Sequence, residues 1–390
     1  MNLTRPLWFV ALALCALHLS RPPCANAAGR PAHAHPGGVL KRLSIAAFPG
    51  SGQNSIQALA TDATGNIYVA GTTGSPDFPV HNAAQAQFGD ARIMRTTDRG
   101  TTWAPVGSPP QDVTVVVPDP VAPGILFAGG DTGIYKSTDA GRTWRQVYQN
   151  PNLGYTFGGA LVIDPGNHLR LAAIAPFTGA LLRSFDGGET WVASQPVCPL
   201  SGCGGQLSAD PTGSGTLLIS SLVLSISRDW GATVQALAPP VGGGVTTAVF
   251  DPSHPGWIYA AGSMGVSGSL WLSTDYGTTW TMKGSPPTVF SGILNLAVDP
   301  DQPDILVAAT PDGLYSTTDG ATTWVPTQGH GAFFSVNGHA PFALLSHRCG
   351  PGGGLVALGG MQQVAFSPDD GATWNTPQLS QVSSVTAGPG

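Results

Sequence analysis

The chain has 390 residues, 42% hydrophobic and only 10% charged, with 53 glycines and 35 prolines. That hydrophobic fraction excludes an intrinsically disordered chain, and the glycine and proline content points to a turn-dense β-protein. Sixteen Lys+Arg against 22 Asp+Glu give a net charge of −6, which excludes a basic nucleic-acid footprint.

Residues 1–27 read as a signal peptide. Arg5 supplies the positive end, Leu7 to Leu19 the apolar run, and Ala25-Asn26-Ala27 an A-x-A cleavage site. A run this short does not span a bilayer of about 30 Å as a helix. The expectation is an exported chain, periplasmic or extracellular, without membrane insertion. Residues 28–38, with His33 and His35, read as a solvated linker, and 39–386 as a single domain. Export permits disulfides. Cys198 and Cys203 bracket Pro-Leu-Ser-Gly and are expected to pair locally, leaving Cys349 over. No cofactor motif is present, and no Cys/His set offers the four or so ligands of a zinc site.

One octapeptide, Ser/Thr-x-Asp-x-Gly-x-Thr-Trp, organises the rest of the chain. Copies run 96–103, 137–144, 184–191, 227–234, 273–280, 317–324 and 367–374. Their aspartates are Asp98, Asp139, Asp186, Asp229, Asp275, Asp319 and Asp369, spaced 41 to 50 residues apart. The terminal residues are Trp103, Trp144, Trp191, Trp280, Trp324 and Trp374, with Val234 in the fourth copy. The sixth copy moves its glycine one place early, to Gly320, leaving Ala321. Upstream of most copies an apolar run ends in Asp-Pro, at Asp119, Asp164, Asp210, Asp251 and Asp299. Two further short runs lead into the octapeptide, and its Trp opens a fourth.

Four short strands per period describe a four-stranded antiparallel blade, and seven periods predict an all-β, seven-bladed β-propeller. The blades are placed near 56–106, 113–148, 158–194, 206–237, 245–282, 292–326 and 342–376. Closure of the ring falls to an added strand from Val39–Phe48, in preference to Val382–Val385. Within the octapeptide, the short polar side chains are expected to bond turn amides. The glycine supplies a positive φ, and the Trp packs between blades at a truncation cost of about 3–5 kcal/mol. The copy ending in Val234 predicts one loosened staple. These features favour turn fasteners over a ligand site.

The octapeptide resembles the Asp-box, or bacterial neuraminidase repeat, across residues 56–376. Asp62 to Pro79 (DATGNIYVAGTTGSPDFP) resembles a repeat of exported bacterial seven-bladed propellers. The likeness extends more distantly to sialidase and xyloglucanase propellers and to a photosystem II assembly factor. It implies that the box joins the third and fourth strands on the rim away from the ligand.

Candidate binding residues are therefore sought on the other face, formed by inter-blade loops and the turns between second and third strands. They are Asp77, Phe78 and His81 with Tyr155, Phe157 and Phe177, then Phe290, His330, Phe333, Phe334 and His339. Loop aromatics of this kind suit an unidentified protein or glycan partner; the bland alternative is that they cover the core. A sialidase would need an arginine cluster and a Tyr–Glu nucleophile pair. The chain has one Glu, Glu189, inside an octapeptide, so that activity is excluded. Another glycosidase would need two carboxylates roughly 5–9.5 Å apart. Asp77, Asp90, Asp112, Asp131 and Asp312 are the candidates outside repeat turns, and no pair among them is marked as catalytic. The preferred reading is an exported non-catalytic binding or scaffold propeller, with an Asp-dependent glycoside hydrolase as the alternative.

Overall fold

The structure is a computed structural model. It describes residues 54–327 except 63–65, 74–90, 98–103, 108, 110–112, 150, 152–160, 176–178, 197–205, 221–222, 240–244, 263–269, 288–291, 300–301 and 311–312. Beyond these it describes 343–347, 354–359 and 363–367.

All regular structure among the described residues is β. Blade 1 contains β1 (Asn54–Thr61), β2 (Ile67–Thr73), β3 (Ala91–Thr96) and β4 (Ala104–Val106). Blade 2 contains β5 (Val113–Pro118), β6 (Leu126–Gly130), β7 (Gly133–Ser137) and β8 (Arg145–Gln149). Blade 3 is β9 (Leu161–Asp164), β10 (Asn167–Ile174), β11 (Ala180–Ser184) and β12 (Val192–Pro196). Blade 4 follows with β13 (Gln206–Ala209), β14 (Leu217–Ser220), β15 (Leu224–Ser227) and β16 (Gln235–Ala236). Blade 5 is β17 (Val245–Phe250), β18 (Ile258–Gly262), β19 (Leu270–Ser273) and β20 (Thr281–Lys283). Blade 6 is β21 (Asn295–Val298), β22 (Leu306–Thr310), β23 (Gly313–Thr317) and β24 (Val325–Pro326). A last sheet holds β25 (Ala343–His347), β26 (Gly354–Gly359) and β27 (Gln363–Ser367).

Each sheet is an antiparallel meander in chain order. The first strands touch in the sequence β1, β5, β9, β13, β17, β21, β25, and β25 touches β1 again. The arrangement is a β-propeller. The expectation of seven four-stranded blades is corrected to six, accompanied by one three-stranded sheet. The octapeptide copy at 367–374, both proposed closing runs, and hence any fourth strand of that sheet lie almost wholly outside the described residues.

The inner strands are buried from end to end in blades 2, 3, 4 and 6, as at Val115–Val117 and Leu296–Val298. The outermost strands are short and largely exposed, which limits unpaired edge. Hydrophobic clusters lie between consecutive blades rather than within one. One joins Val249, Tyr259 and Leu270 of blade 5 to Leu296, Leu306 and Tyr315 of blade 6. Each seam is thus a small core, and the ring is held by the sum of its seams.

Candidate functional site

Antiparallel meanders place the first-to-second and third-to-fourth turns of every blade on one rim. The octapeptide occupies the third-to-fourth turn, and its geometry repeats in five described copies. Ser137 Oγ donates to Asp139 Oδ1 at 2.8 Å and accepts the Gly141 amide at 2.9 Å. Asp139 Oδ1 accepts the Thr143 amide at 2.8 Å, and Oδ2 accepts the Thr143 hydroxyl at 2.6 Å. Ser184–Asp186–Thr190, Ser227–Asp229–Thr233, Ser273–Asp275–Thr279 and Thr317–Asp319–Thr323 repeat this pattern. The threonine one place before the Trp is therefore the carboxylate's main partner, a role its presence in every copy could have signalled.

Those bonds hold the carboxylates ionised. Bonds from the Thr190 hydroxyl and amide depress Asp186 to about 2. The Thr233 amide does so for Asp229, and the Thr279 amide for Asp275, each also to about 2. Asp319 is lowered too, first by the Thr323 amide.

The turn needs two consecutive left-handed residues, where the sequence reading allowed one. They are Ala140–Gly141, Gly187–Gly188, Trp230–Gly231, Tyr276–Gly277 and Gly320–Ala321, all with φ between 53° and 86°. The shifted glycine of the sixth copy therefore still falls on one of the two positions, Gly320, with Ala321 on the other. The copy has exchanged which of the two positions is occupied by the unstrained residue. The amide of the first position donates to the adjacent turn of the same blade, as Ala140 to the Gly124 carbonyl at 2.8 Å and Gly320 to that of Asp304 at 3.0 Å.

Each described octapeptide Trp packs on the seam with the preceding blade. Trp144, Trp191, Trp280 and Trp324 join the clusters of the seams between blades 1 and 2, 2 and 3, 4 and 5, and 5 and 6. The fourth copy corrects an expectation. Val234 is 39% exposed, but Trp230 of the same copy is 2% exposed. It fills the seam with Val162, Leu181 and Leu207, and its Nε1 donates to the Leu171 carbonyl at 3.3 Å. The staple has moved within the octapeptide instead of loosening.

The first-to-second turns engage most of the remaining rim carboxylates. Asp119 Oδ1 accepts the Val121 and Ala122 amides, and Oδ2 bonds His168 Nδ1 of blade 3 at 3.0 Å. Asp210 Oδ2 accepts from the Ser214 hydroxyl and, across the seam, from Tyr276 at 3.0 Å. Asp251 bonds Ser253 and His254, and Asp164 bonds the Gly166 amide. Burial raises Asp164 against the opposing bond from Gly166 and the charge of Arg170. Glu189 bridges Lys136 at 2.8 Å and Arg145 at 2.6 Å, both in blade 2. It is an inter-blade ion pair, and Lys136 and Arg145 hold it below the usual carboxylate range.

On the opposite face the described part carries mainly uncharged polar side chains. In blades 2 and 5 the inner strand carries a β-bulge near its start, at Thr114 and Thr246. Thr114 Oγ1 donates to the Gly129 carbonyl at 3.2 Å. Thr246 Oγ1 reaches the Ala261 carbonyl and, at 2.6 Å, that of Ile293 in blade 6. Gln206, Thr247 and Asn295 are buried at equivalent ends of their strands, with Thr247 donating to Gln206 at 3.5 Å. Asp131, in the second-to-third turn of blade 2, is the carboxylate on this face among the described residues.

All the predicted ligand residues fall outside the described residues: Asp77, Phe78, His81, Tyr155, Phe177, Phe290, His330, Phe333 and Phe334. So do Phe157, His339, Asp90, Asp112, Asp312, Cys198, Cys203, Cys349, Asp98, Trp103, Asp369 and Trp374. Among the described residues no three His, Cys, Asp or Glu side chains gather as a metal set. Nor is any helix there long and apolar enough to cross a membrane.

This architecture defines an all-β propeller with four-stranded antiparallel blades. No family model matches the chain. It is 29% identical over 316 residues to a xyloglucanase from Paenibacillus sp, a match covering 70% of this chain and 26% of that protein. The chain thus spans about a quarter of the relative's length. Its structure is similar to that of an ancestral GH74 enzyme, with a TM-score of 0.65 and 13% identity over 85% of this chain and 47% of that one. It is also similar to YCF48 bound to D1 peptide, with a TM-score of 0.55 and 16% identity over 82% and 95% of the respective chains.

Proposed function

We propose that the chain is an exported, non-catalytic binding or scaffold propeller that presents its inter-blade-loop face to a protein or glycan partner. One observation carries the reading. Every described carboxylate except Asp131 lies on the octapeptide rim, and nearly all are bonded into turns or across seams. A glycosidase needs two carboxylates facing one bond, and the described loop face supplies one. The described arginine side chains (Arg95, Arg142, Arg145, Arg170, Arg183 and Arg228) all lie toward the other rim, which supports the exclusion of a sialidase. The sheet β25–β27 is read as the seventh blade, completed by an added strand from Val39–Phe48 in preference to Val382–Val385. The octapeptides act as fasteners, without a chemical role. Export rests on the leader-like residues 1–27.

The second reading, an Asp-dependent glycoside hydrolase, is favoured by the similarity to the xyloglucanase. It would draw on Asp77, Asp90, Asp112 and Asp312 together with Asp131. A glycan and peptide array with purified protein tests the preferred reading. Binding that falls at least tenfold in Tyr155→Ala or Phe333→Ala, with the fold retained, is expected. Binding unaffected by every loop-face substitution would refute it.

A further inference from the structure

Where blade 1 meets blade 2, a crevice of about 220 Å³ opens on the octapeptide rim. It is lined by Arg95 and the 104–107 segment of blade 1 and by Ala140 and Arg142 of blade 2. Its walls are fixed. A Cβ at Gly107 would lie 2.2 Å from the Arg142 carbonyl oxygen, so the two backbones touch. Trp144 Nε1 donates to the carbonyls of both Gly107, at 2.7 Å, and Gly141, at 3.0 Å. Ala104, Pro105, Val106 and Ala140 make the lining otherwise mostly apolar.

Two guanidiniums line this space. Arg142 is exposed and enters none of the ion pairs among the described residues. Arg95 lies beside the Tyr68 hydroxyl, and its Nε is shielded from water without a hydrogen-bond partner. A buried donor left unmade is costly, so its persistence asks for an acceptor. Asp62 accepts from Asn66 and Tyr68, and Asp139 from Ser137 and Thr143.

The fold itself does not require the arginines. At the equivalent seam between blades 5 and 6, Trp324 Nε1 again donates to a glycine carbonyl, that of Gly284, at 2.8 Å. There Leu272 and Thr322 stand where blades 1 and 2 have Arg95 and Arg142, and Lys283 replaces Val106. We propose that the crevice between blades 1 and 2 is a binding site for a carboxylate carried on a short apolar stem. The arginines take the oxyanion and the Ala/Pro/Val wall takes the stem. This site is on the opposite side from the proposed partner face, so its failure leaves that reading untouched.

The test is titration of the full chain with propionate and, separately, with propionamide, followed by calorimetry or side-chain NMR shifts. Saturable propionate binding is expected, weakened about tenfold or more in Arg142→Gln, with propionamide much weaker. Arg142 is exposed, so that variant separates binding from folding; Arg95→Gln is read beside its thermal melt. Absence of saturable propionate binding, equal affinity for propionamide, or unchanged affinity in Arg142→Gln overturns the proposal.

Discussion

At the residue scale, the octapeptide aspartate is a carboxylate whose ionised form the turn needs. Asp186, Asp229 and Asp275 sit at about 2 in the fold, against an ordinary value of about 3.9. A folded value below the unfolded one adds stability that is fully present above about pH 4 and is lost as pH falls through about 2. Thermal melts should therefore drop in midpoint across that window. Asp275→Asn should start lower at neutral pH and fall less steeply. The groups are exposed, so each contribution is modest.

The second left-handed position makes a sharper contrast. A Cβ at Gly188 (φ 83°) would lie 2.5 Å from Phe127 Cε1, whereas Ala321 already holds that position in blade 6, fully buried. Denaturant melts should show Gly188→Ala losing about 1–3 kcal/mol. Ala321→Gly should be within about 1 kcal/mol of neutral, because relieved φ strain offsets the lost methyl contact.

At the scale of elements, the seam is the unit of stability. Trp230→Ala should cost about 3–5 kcal/mol, as for other buried aromatic truncations, and Val234→Ala less than about 1 kcal/mol because Val234 is exposed. Equal effects in chemical denaturation would contradict the exchange of staple between these positions. Asp210→Ala removes the cross-seam bond from Tyr276 and should cost about 1–3 kcal/mol. The repeat spacing made strands, turns and rim legible from the chain alone, because a period-2 pattern and turn residues act locally. What stayed hidden was non-local. Trp230 occupies a variable position of the motif, so only packing against Leu181 and Leu207 reveals its role. Tyr276 and His168 read as ordinary variable residues until their partners in the neighbouring blade are seen.

At the scale of the whole molecule, contact between β25 and β1 closes the ring, and the described blades end in short outer strands that leave little unpaired edge. The repeat count predicted sheets and their order. It also predicted four strands per sheet, which six sheets show, while the residues after β27 in the last sheet lie outside the described residues. The loop-face candidates were chosen for chemistry on connections that no repeat constrains, which is why the fold alone does not assign them. The central claim, that this wheel binds without cleaving, is tested most directly by measuring reducing-end release from xyloglucan by the purified chain. The account predicts release no greater than the buffer blank. Release that is abolished by Asp131→Ala or Asp77→Ala would contradict it.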